Sequence, residues 1–348
     1  MVTLKKEGVL IQKTALVFEN EGVLNPAAIK EGDYVHLFYR AVSTGNYSSI
    51  GYCKLKGPLT VKHRDQAPIL VSEFDYESHG VEDPRIVKIE DTYYLSYTAF
   101  DGVNALGAMA TSTDLVRWNK KGIIVPQITY DEFDAITTNN KKVNEKYFRY
   151  NNHEAVTEIL DEKVLMWDKN IILFPRKIDD KFVFLHRIKP DIQIVVSVKN
   201  LEELNSQFWA NYFTHFDECI VMKPKYEHEA SYIGGGCPPV ETKLGWLIIY
   251  HGVQDTIKGY VYSACAALLD LKNPMKEIAR LPYPLFKPEL IWELKGEVNN
   301  VCFPSGTALF DDTLYIYYGA ADERIGTASV SITELLNELM LNTVKNEK

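Results

Sequence analysis

Apolar and polar positions alternate along most of this chain in short runs, and the runs recur in a fixed order. Five stretches line up: NPAAIKEGDYVHLFYRAV from Asn25, DPRIVKIEDTYYLSYTAF from Asp83, FPRKIDDKFVFLHRI from Phe174, PPVETKLGWLIIYHGV from Pro238 and FPSGTALFDDTLYIYYGA from Phe303. Each has a proline in second place, a short apolar run, a turn (EGD, EDT, DDK, KLG or DDT) and an aromatic-rich alternating run. Alternation with period two around such turns predicts antiparallel hairpins. A smaller signature follows each: IGYCKL, LGAMATSTDL, IQIVVSVKNL, YSACAALLDL and IGTASVSITEL. From the proline to the closing leucine is 31 residues for Pro84–Leu115, 32 for Pro239–Leu271 and 31 for Pro304–Leu335, with 29 for Pro26–Leu55 and 26 for Pro175–Leu201.

Five copies of a three- or four-stranded unit predict an all-β chain, a five-bladed β-propeller over residues 1–348 as a single domain. A β-sandwich with coincidental hairpins is the competing arrangement, but nothing in a sandwich keeps proline, turn and leucine in step five times. Each unit is a sheet that cannot bury both faces alone, and packing five around an axis hides those faces. An insertion at about 125–167 separates the second and third repeats. It is long, polar and partly aromatic, and is expected to form a flap or an arm to a second copy, which puts a homo-oligomer among the expected partners. SITELLNEL near the C-terminus predicts a short helix with a frayed tail behind it.

Composition narrows the function. Hydrophobic residues make up 46% and charged residues 24%, ordinary for a chain with a real core. Net charge is −9, and no basic stripe interleaves with aromatics, which argues against nucleic acid as a partner. No segment is apolar for 18 residues, and the start MVTLKKEGVLIQK has charges where a secretory leader needs apolar residues. Neither a membrane nor export is expected. The five cysteines (Cys53, Cys219, Cys237, Cys265, Cys302) are scattered and unpaired in sequence, so a reducing cytoplasm is expected. Asn46-Tyr47-Ser48 matches a glycosylation triplet that has no meaning without export. The eight histidines show no metal-ligand spacing, and no metal or organic cofactor is expected.

The candidate site comes from where the repeat breaks its own pattern. The residue before the repeat proline is polar in the first two repeats, Asn25 and Asp83, and apolar in the others. Arg40, Thr98, His186 and His251 follow the strand aromatic, with Asp322 and Arg324 near the same place in the last repeat. Asp83 sits between Glu82 and Arg85; a neighbouring acid raises a carboxyl pKa and an arginine lowers it, so Asp83 is a candidate general acid. Inverting glycoside cleavage needs a second carboxylate roughly 6.5–9.5 Å away. Glu241 in PPVET and Glu229 in YEHEASYIGGG, both in the fourth repeat, are the candidates for that base. Asp101, Arg187 and His251 complete the binding set, although Arg187 pairing with Asp191 and His251 bracing a turn are structural alternatives. Tyr39, Tyr97, Phe100, Trp246 and Tyr250 offer stacking surface or, at alternate strand positions, core. GGGCPP at Gly234–Pro239 marks a phosphate nest or a kinked strand entry.

GVEDPRI, LFPRKIDDKFVFLHR, GGGCPPVETKLGWLIIYHGV and YYGAADERIGTA, in that order, together resemble glycoside hydrolase family 130, over roughly Asn25 to Ile332. The resemblance implies an inverting enzyme on β-mannosides, either a phosphorylase making α-mannose 1-phosphate or a hydrolase of β-1,2-mannosides. It implies that Asp83 protonates the glycosidic oxygen through the mannose 3-hydroxyl, and that Asn25, Arg40, Arg85 and Asp322 hold the mannose. Where phosphorylases of the family read P-P-I-K-T, with the lysine a phosphate ligand, this chain reads PPVET. Glu241 there would repel phosphate and suit water activation. The expectation is therefore a β-mannosidase hydrolysing β-linked, notably β-1,2-linked, manno-oligosaccharides. A β-mannoside phosphorylase with inorganic phosphate as co-substrate is the alternative, and a non-catalytic mannoside-binding propeller the third reading.

Overall fold

The computed structural model describes residues 2–137, 144–148 and 163–343. They are mostly β-strand, arranged as five antiparallel units. The first unit is Gly22–Glu31, Tyr34–Ser43, Tyr47–Lys56 and Thr60–Arg64; the second is Gly80–Ile89, Thr92–Phe100, Ala105–Ser112 and Asn119–Ile123. A single parallel pairing, Ser48 with Gly80, joins these two into one sheet. The third unit is Lys169–Leu173, Phe182–Arg187, Ile192–Val198 and Ile220–Met222. The fourth begins with two short strands, Tyr232–Gly235 and Val240–Thr242, and continues with Gly245–Thr256, Gly259–Leu269 and Glu277–Arg280. The fifth is Cys302–Phe310, Thr313–Ala320 and Arg324–Ser331, completed by Leu4–Ile11 from the other end of the chain.

Burial explains why the middle strands read as unbroken apolar runs. Side chains alternate faces along a strand, and here both faces are covered, so both need apolar residues. In GWLIIY, Trp246, Ile248 and Tyr250 pack against Ile172, Val183 and Leu185 of the third unit. Leu247 and Ile249 point the other way, onto Leu314, Ile316 and Tyr318 of the fifth. The same division holds throughout: Phe38 with Ile86 and Leu95, Val87 and Met109 with Ile171 and Phe184, and Val35 and Leu37 with Ala308 and Tyr317. Each unit thus shares one core with the unit before it and another with the unit after, the fifth returning to the first. A fully buried Leu, Ile or Phe contributes roughly 1.5–3 kcal/mol, so these shared cores account for most of the cohesion between units.

A second repeated device anchors each unit. Glu19, Glu77, Glu229 and Glu293 are fully buried, each in a short helical turn before its unit. Each accepts a phenolic proton from the middle strand and binds a cation from the outermost strand. Tyr39 and Arg64 serve Glu19 at 2.9 and 2.7 Å. Tyr97 and Lys120 serve Glu77, Tyr250 and Arg280 serve Glu229, and Tyr318 and Lys6 serve Glu293. In the third unit His186 takes the tyrosine's place, bonded to Asp168 at 2.8 Å and to Tyr212 at 2.8 Å. A buried charge pays a desolvation cost that only full hydrogen bonding offsets, and these carboxylates have it.

In its described parts the insertion packs back onto the rest of the chain. Helix Tyr130–Thr137 and the turn Glu145–Tyr147 bury Phe133 and Tyr147 against Trp209, Phe213 and Phe216. The last three come from or follow helix Ser206–Thr214, an element the strand pattern did not predict. Residues 138–143 and 149–162 of the insertion lie outside the described residues. The C-terminal helix runs Ile332–Leu341, burying Leu335 and Leu339, and the tail beyond 343 lies outside the described residues. Among the described residues no helix is long and apolar enough to cross a membrane.

Candidate active site

The first strands of the units bring one end of each hairpin to a common centre. Three of them carry a two-against-one irregularity there: between Leu24 and Ala27, Glu82 and Arg85, and Lys169 and Ile172. The residues inside these bulges, Asn25, Asp83 and Asn170, adopt left-handed backbone, with φ of 47°, 49° and 53°. Asn and Asp tolerate that conformation at on the order of 1 kcal/mol, and a bulge re-aims the side chain out of the pleat. Asp322 shares the conformation, at φ 51°.

One half of the centre is acidic. Asp83 Oδ1 accepts from Asn25 Nδ2 at 2.7 Å and lies 3.8 Å from Arg40 Nη1. Arg40 Nη2 is paired with Glu82 at 2.7 Å, and its Nε donates to Ser48 Oγ at 2.9 Å. Arg85 holds the strand entry, donating from Nη1 to the carbonyls of Asp83 and Pro84 at 3.1 and 2.8 Å and from Nε to the carbonyl of Gly236. Burial works to raise the Asp83 carboxyl, but Arg40, Arg85, Asn25 and Lys169 together hold it below its ordinary value. Asp322 goes the other way: burial, with Asp83 and Glu82 adding to it against Arg40, pushes it up to about 6. A cleft of about 400 Å³ lined by Arg40, Asp322, Leu24, Asn46 and Glu297 opens onto this half.

The other half is basic, and the sequence reading missed much of it. Arg187 Nη1 lies 3.4 Å from His251 Nε2, and the guanidinium carbon sits 5.5 Å from the Tyr232 ring centre. Lys189 Nζ stands over the same ring at 4.1 Å. Burial, then Arg187 and Lys169, bring Lys189 down to about 7. Burial lowers Lys169 too, partly offset by Glu82 and Asp83, which puts Lys169 between the halves. Burial, Arg187, Arg85 and Lys189 keep His251 neutral, so its Nε2 can accept from Arg187. Among the described residues, five buried atoms in this centre have no hydrogen-bond partner: Asn25 Oδ1, Asn170 Oδ1, Arg85 Nη2, Arg187 Nε and His251 Nδ1. Leaving such atoms unpaired costs roughly 1–3 kcal/mol each, and native proteins concentrate that cost where a polar ligand binds.

Lys169 and Asn170 were missed because the repeat proline misaligned the third unit. Pro175 was matched to Pro84, but the pairing of Lys169 with Arg187 and Ile172 with Leu185 makes Asn170 the counterpart of Asp83. Arg187, not His186, then corresponds to Arg40 and Thr98, while His186 faces Asp168 and Tyr212 away from the centre. Asp191 accepts from Tyr147, so it is not the partner of Arg187. The available signal was the polar pair Lys169-Asn170 just before the apolar run IILF.

Four expected site residues are engaged by other partners. Glu241 is half-exposed and bound by Nε and Nη2 of Arg176 at 2.7–2.8 Å. It lines a groove with Ala28–Glu31, Ile86–Lys88 and Thr307–Leu309, the far ends of strands whose near ends carry Asn25 and Asp83. A carboxylate there cannot deprotonate water beside Asp83. Glu229 is spent as the fourth unit's buried anchor, accepting from Tyr250, Arg280 and the amides of Lys225 and Tyr226. Asp101 caps its own turn through the amides of Val103 and Asn104, and Arg324 pairs with Glu323.

Comparison with known proteins places the chain in a class. A family model described as beta-1,4-mannooligosaccharide phosphorylase, glycoside hydrolase family 130, matches residues 5–341. A 1,2-beta-oligomannan phosphorylase of Thermoanaerobacter sp. (strain X514) is 34% identical, covering 96% of this chain and 99% of that protein. A beta-1,2-mannobiose phosphorylase of the same strain is 36% identical, covering 90% and 91%. The structure of the beta-1,2-mannobiose phosphorylase from Listeria innocua, with beta-1,2-mannobiose bound, superposes with a TM-score of 0.73 at 21% identity, over 98% of this chain and all of that one. The chain belongs to glycoside hydrolase family 130, and it is a glycoside-processing enzyme of that family.

Proposed function

We propose that this enzyme is an inverting β-mannoside phosphorylase, acting on β-1,2-linked oligomannan with inorganic phosphate to release α-mannose 1-phosphate, and that its five units form a five-bladed β-propeller with the site at the hub. The single observation that carries the reading is the gathering of Lys169, Arg187 and Lys189 opposite Asp83. A phosphate dianion needs converging cations, whereas a hydrolase needs a carboxylate near the water. With Glu241 and Glu229 engaged elsewhere, the hydrolytic expectation loses its base. The two Thermoanaerobacter relatives, each named a phosphorylase, support the same side.

In this mechanism Asn25, Arg40 and Asp322 hold the mannosyl unit above Asp83. A phosphate oxygen, held by the cationic half, attacks the anomeric carbon from the face opposite the departing oxygen. The carbon–oxygen bond to the leaving sugar breaks, and Asp83 supplies the proton to that oxygen, relayed by a sugar hydroxyl as the family resemblance implies. The hydrogen phosphate proton restores Asp83, so the step balances without added acid. Phosphate also answers the low setting of Asp83. Its charge offsets Lys169, one of the cations that hold the carboxylate ionised, and so favours the protonated acid. The five free thiols support a reducing, cytoplasmic setting.

The test is product identity. β-1,2-mannobiose with phosphate should yield mannose 1-phosphate and mannose, and nothing without phosphate. Free mannose alone in phosphate-free buffer would return the hydrolytic reading.

A further inference from the structure

The fourth unit departs from the other glutamate-anchored units at three places, and the three departures meet at its buried carboxylate. The residue before the anchor is Phe18, Tyr76 or Trp292 in the first, second and fifth units, but His228 before Glu229. Across the ladder from the anchor's tyrosine stand Gly51, Ala108 and Gly326, whereas Tyr250 faces Cys265. Two residues beyond that tyrosine stand Ala41, Ala99 and Ala320, whereas the fourth unit has Gly252. The glycine makes the room. A Cβ on it would lie 3.1 Å from Cys265 Sγ and from Glu229 Cγ, and 2.9 Å from the His228 carbonyl oxygen. One ligand atom each from His228, Glu229 and Cys265 lie within 4.8 Å of one another. His228 Nε2 is buried 4.0 Å from Glu229 Oε1, with no hydrogen-bond partner, and only 11% of its side chain is exposed. Burial pulls the imidazole pKa below its ordinary value, which favours the neutral ring.

We infer that His228, Glu229 and Cys265 form a binding site for Zn²⁺ in the fourth unit. Packing alone asks for an apolar ring before the anchor, as the other three units have. An imidazole that leaves a buried nitrogen unpaired is a costly substitute unless something binds that nitrogen. A neutral imidazole, a carboxylate and a thiol together make a donor set suited to tetrahedral zinc. Ligand atoms around that ion stand roughly 3.3–3.6 Å apart, so closure moves these side chains by about an ångström. Glu229 has the capacity: Arg280 and the amides of Lys225 and Tyr226 hold Oε2, while Tyr250 takes one lone pair of Oε1 and leaves the other. Cys265 Sγ makes only a weak contact, to the Ser263 carbonyl at 3.6 Å. On binding, the sulfur–metal bond replaces the S–H bond and the proton leaves to solvent. Thiolate and carboxylate then balance the dication. The site stands apart from the phosphorolysis above. It joins the turn Glu227–Glu229 to both long strands, one residue from His251, and so stiffens the wall behind the cationic half.

The experiment takes the full chain, strips it with a chelator and titrates it with Zn²⁺ and, separately, Co²⁺. One equivalent of Zn²⁺ per chain should bind and raise the melting temperature by several degrees. Co²⁺ should give the charge-transfer absorption of a cobalt–thiolate bond. Cys265→Ala and His228→Tyr install the residues of the second unit, so both fit the repeat. Each should weaken Zn²⁺ binding by at least about ten- to a hundredfold, the loss that even an outer-shell partner causes. The cobalt–thiolate band should vanish in Cys265→Ala and persist in Cys219→Ser, which removes the partly exposed thiol. No Zn²⁺ binding, no thiolate band in the unaltered chain, a band that survives Cys265→Ala or one lost in Cys219→Ser would each overturn the site. So would undiminished affinity in His228→Tyr. The spectrum of the unaltered chain decides the thiolate whether or not the variants fold, and none of these readouts depends on mannose 1-phosphate being made.

Discussion

Arg187 and His251 meet inside the site, guanidinium Nη1 to imidazole Nε2 at 3.4 Å, with the histidine held neutral by burial and by the cations around it. A neutral imidazole orients the arginine without competing for an anion. Arg187→Ala should therefore raise the KM for phosphate by about ten- to a hundredfold, the worth of a buried hydrogen bond to a charged group, and leave the mannoside KM nearly unchanged. Initial rates with phosphate varied at saturating β-1,2-mannobiose check this, and a rise confined to the mannoside KM would move Arg187 out of the anion site.

Lys189 supplies a pH signature. Brought down to about 7 by burial, Arg187 and Lys169, it is charged below that pH and neutral above it. Sulfate, which stays a dianion throughout, should inhibit competitively with phosphate and weaken several-fold between about pH 6 and about pH 8. Lys189→Arg keeps its charge and should flatten that dependence. A sulfate profile that is already flat in the unaltered enzyme would argue that Lys189 does not face the anion.

Asp83→Asn should lower kcat by about 10²–10⁴, the usual range for loss of a general acid, while the melting temperature and oligosaccharide binding persist. Mannose 1-phosphate release measures the first and calorimetry the second. A variant that retained most of its rate would remove Asp83 from the chemistry.

The two fourth-unit glutamates should separate by phenotype. Glu229→Ala strands the buried Tyr250 hydroxyl and the amides of Lys225 and Tyr226 and leaves Arg280 only Glu277 as an ion partner, at about 1–3 kcal/mol for each stranded donor, seen as a fall in melting temperature of several degrees or as insoluble protein. Glu241→Ala removes an exposed pair with Arg176, a loss of about 0–1 kcal/mol, and should leave phosphorolysis intact. A severe catalytic defect in Glu241→Ala with normal melting would reinstate it as a candidate base.

The sequence carried the hairpins openly, because two covered faces force long apolar runs and each hairpin needs a turn residue such as Gly32, Glu90 or Asp311 in left-handed backbone. It carried Asn25, Arg40, Glu82 and Asp83 as a group, because polar residues at equivalent strand entries have no core to join. The cationic half was illegible for a specific reason. Lys169 opens the third unit's first strand beside a bulge that a proline-based alignment slides past, and Lys189 lies in the connection between its second and third strands. Glu229 misled because a glutamate near a glycine-rich strand entry looks catalytic until its partners, Tyr250 and Arg280, are known. The spacing could have warned of this. Glu19 stands six residues before Asn25 and Glu77 six before Asp83, so Glu229, six before Gly235, belongs to the same series.

Leu4–Ile11 lies along Arg324–Ser331, and Lys6 on that first strand neutralises Glu293. This strand therefore finds its hydrogen-bonding partner only when the chain has been made through Ser331. Until then it waits as an unpaired edge, and the last sheet stays open to solvent on one side. The last sheet is thus a latch closed by Leu4–Ile11, so removing that strand should lower the melting temperature of the finished enzyme.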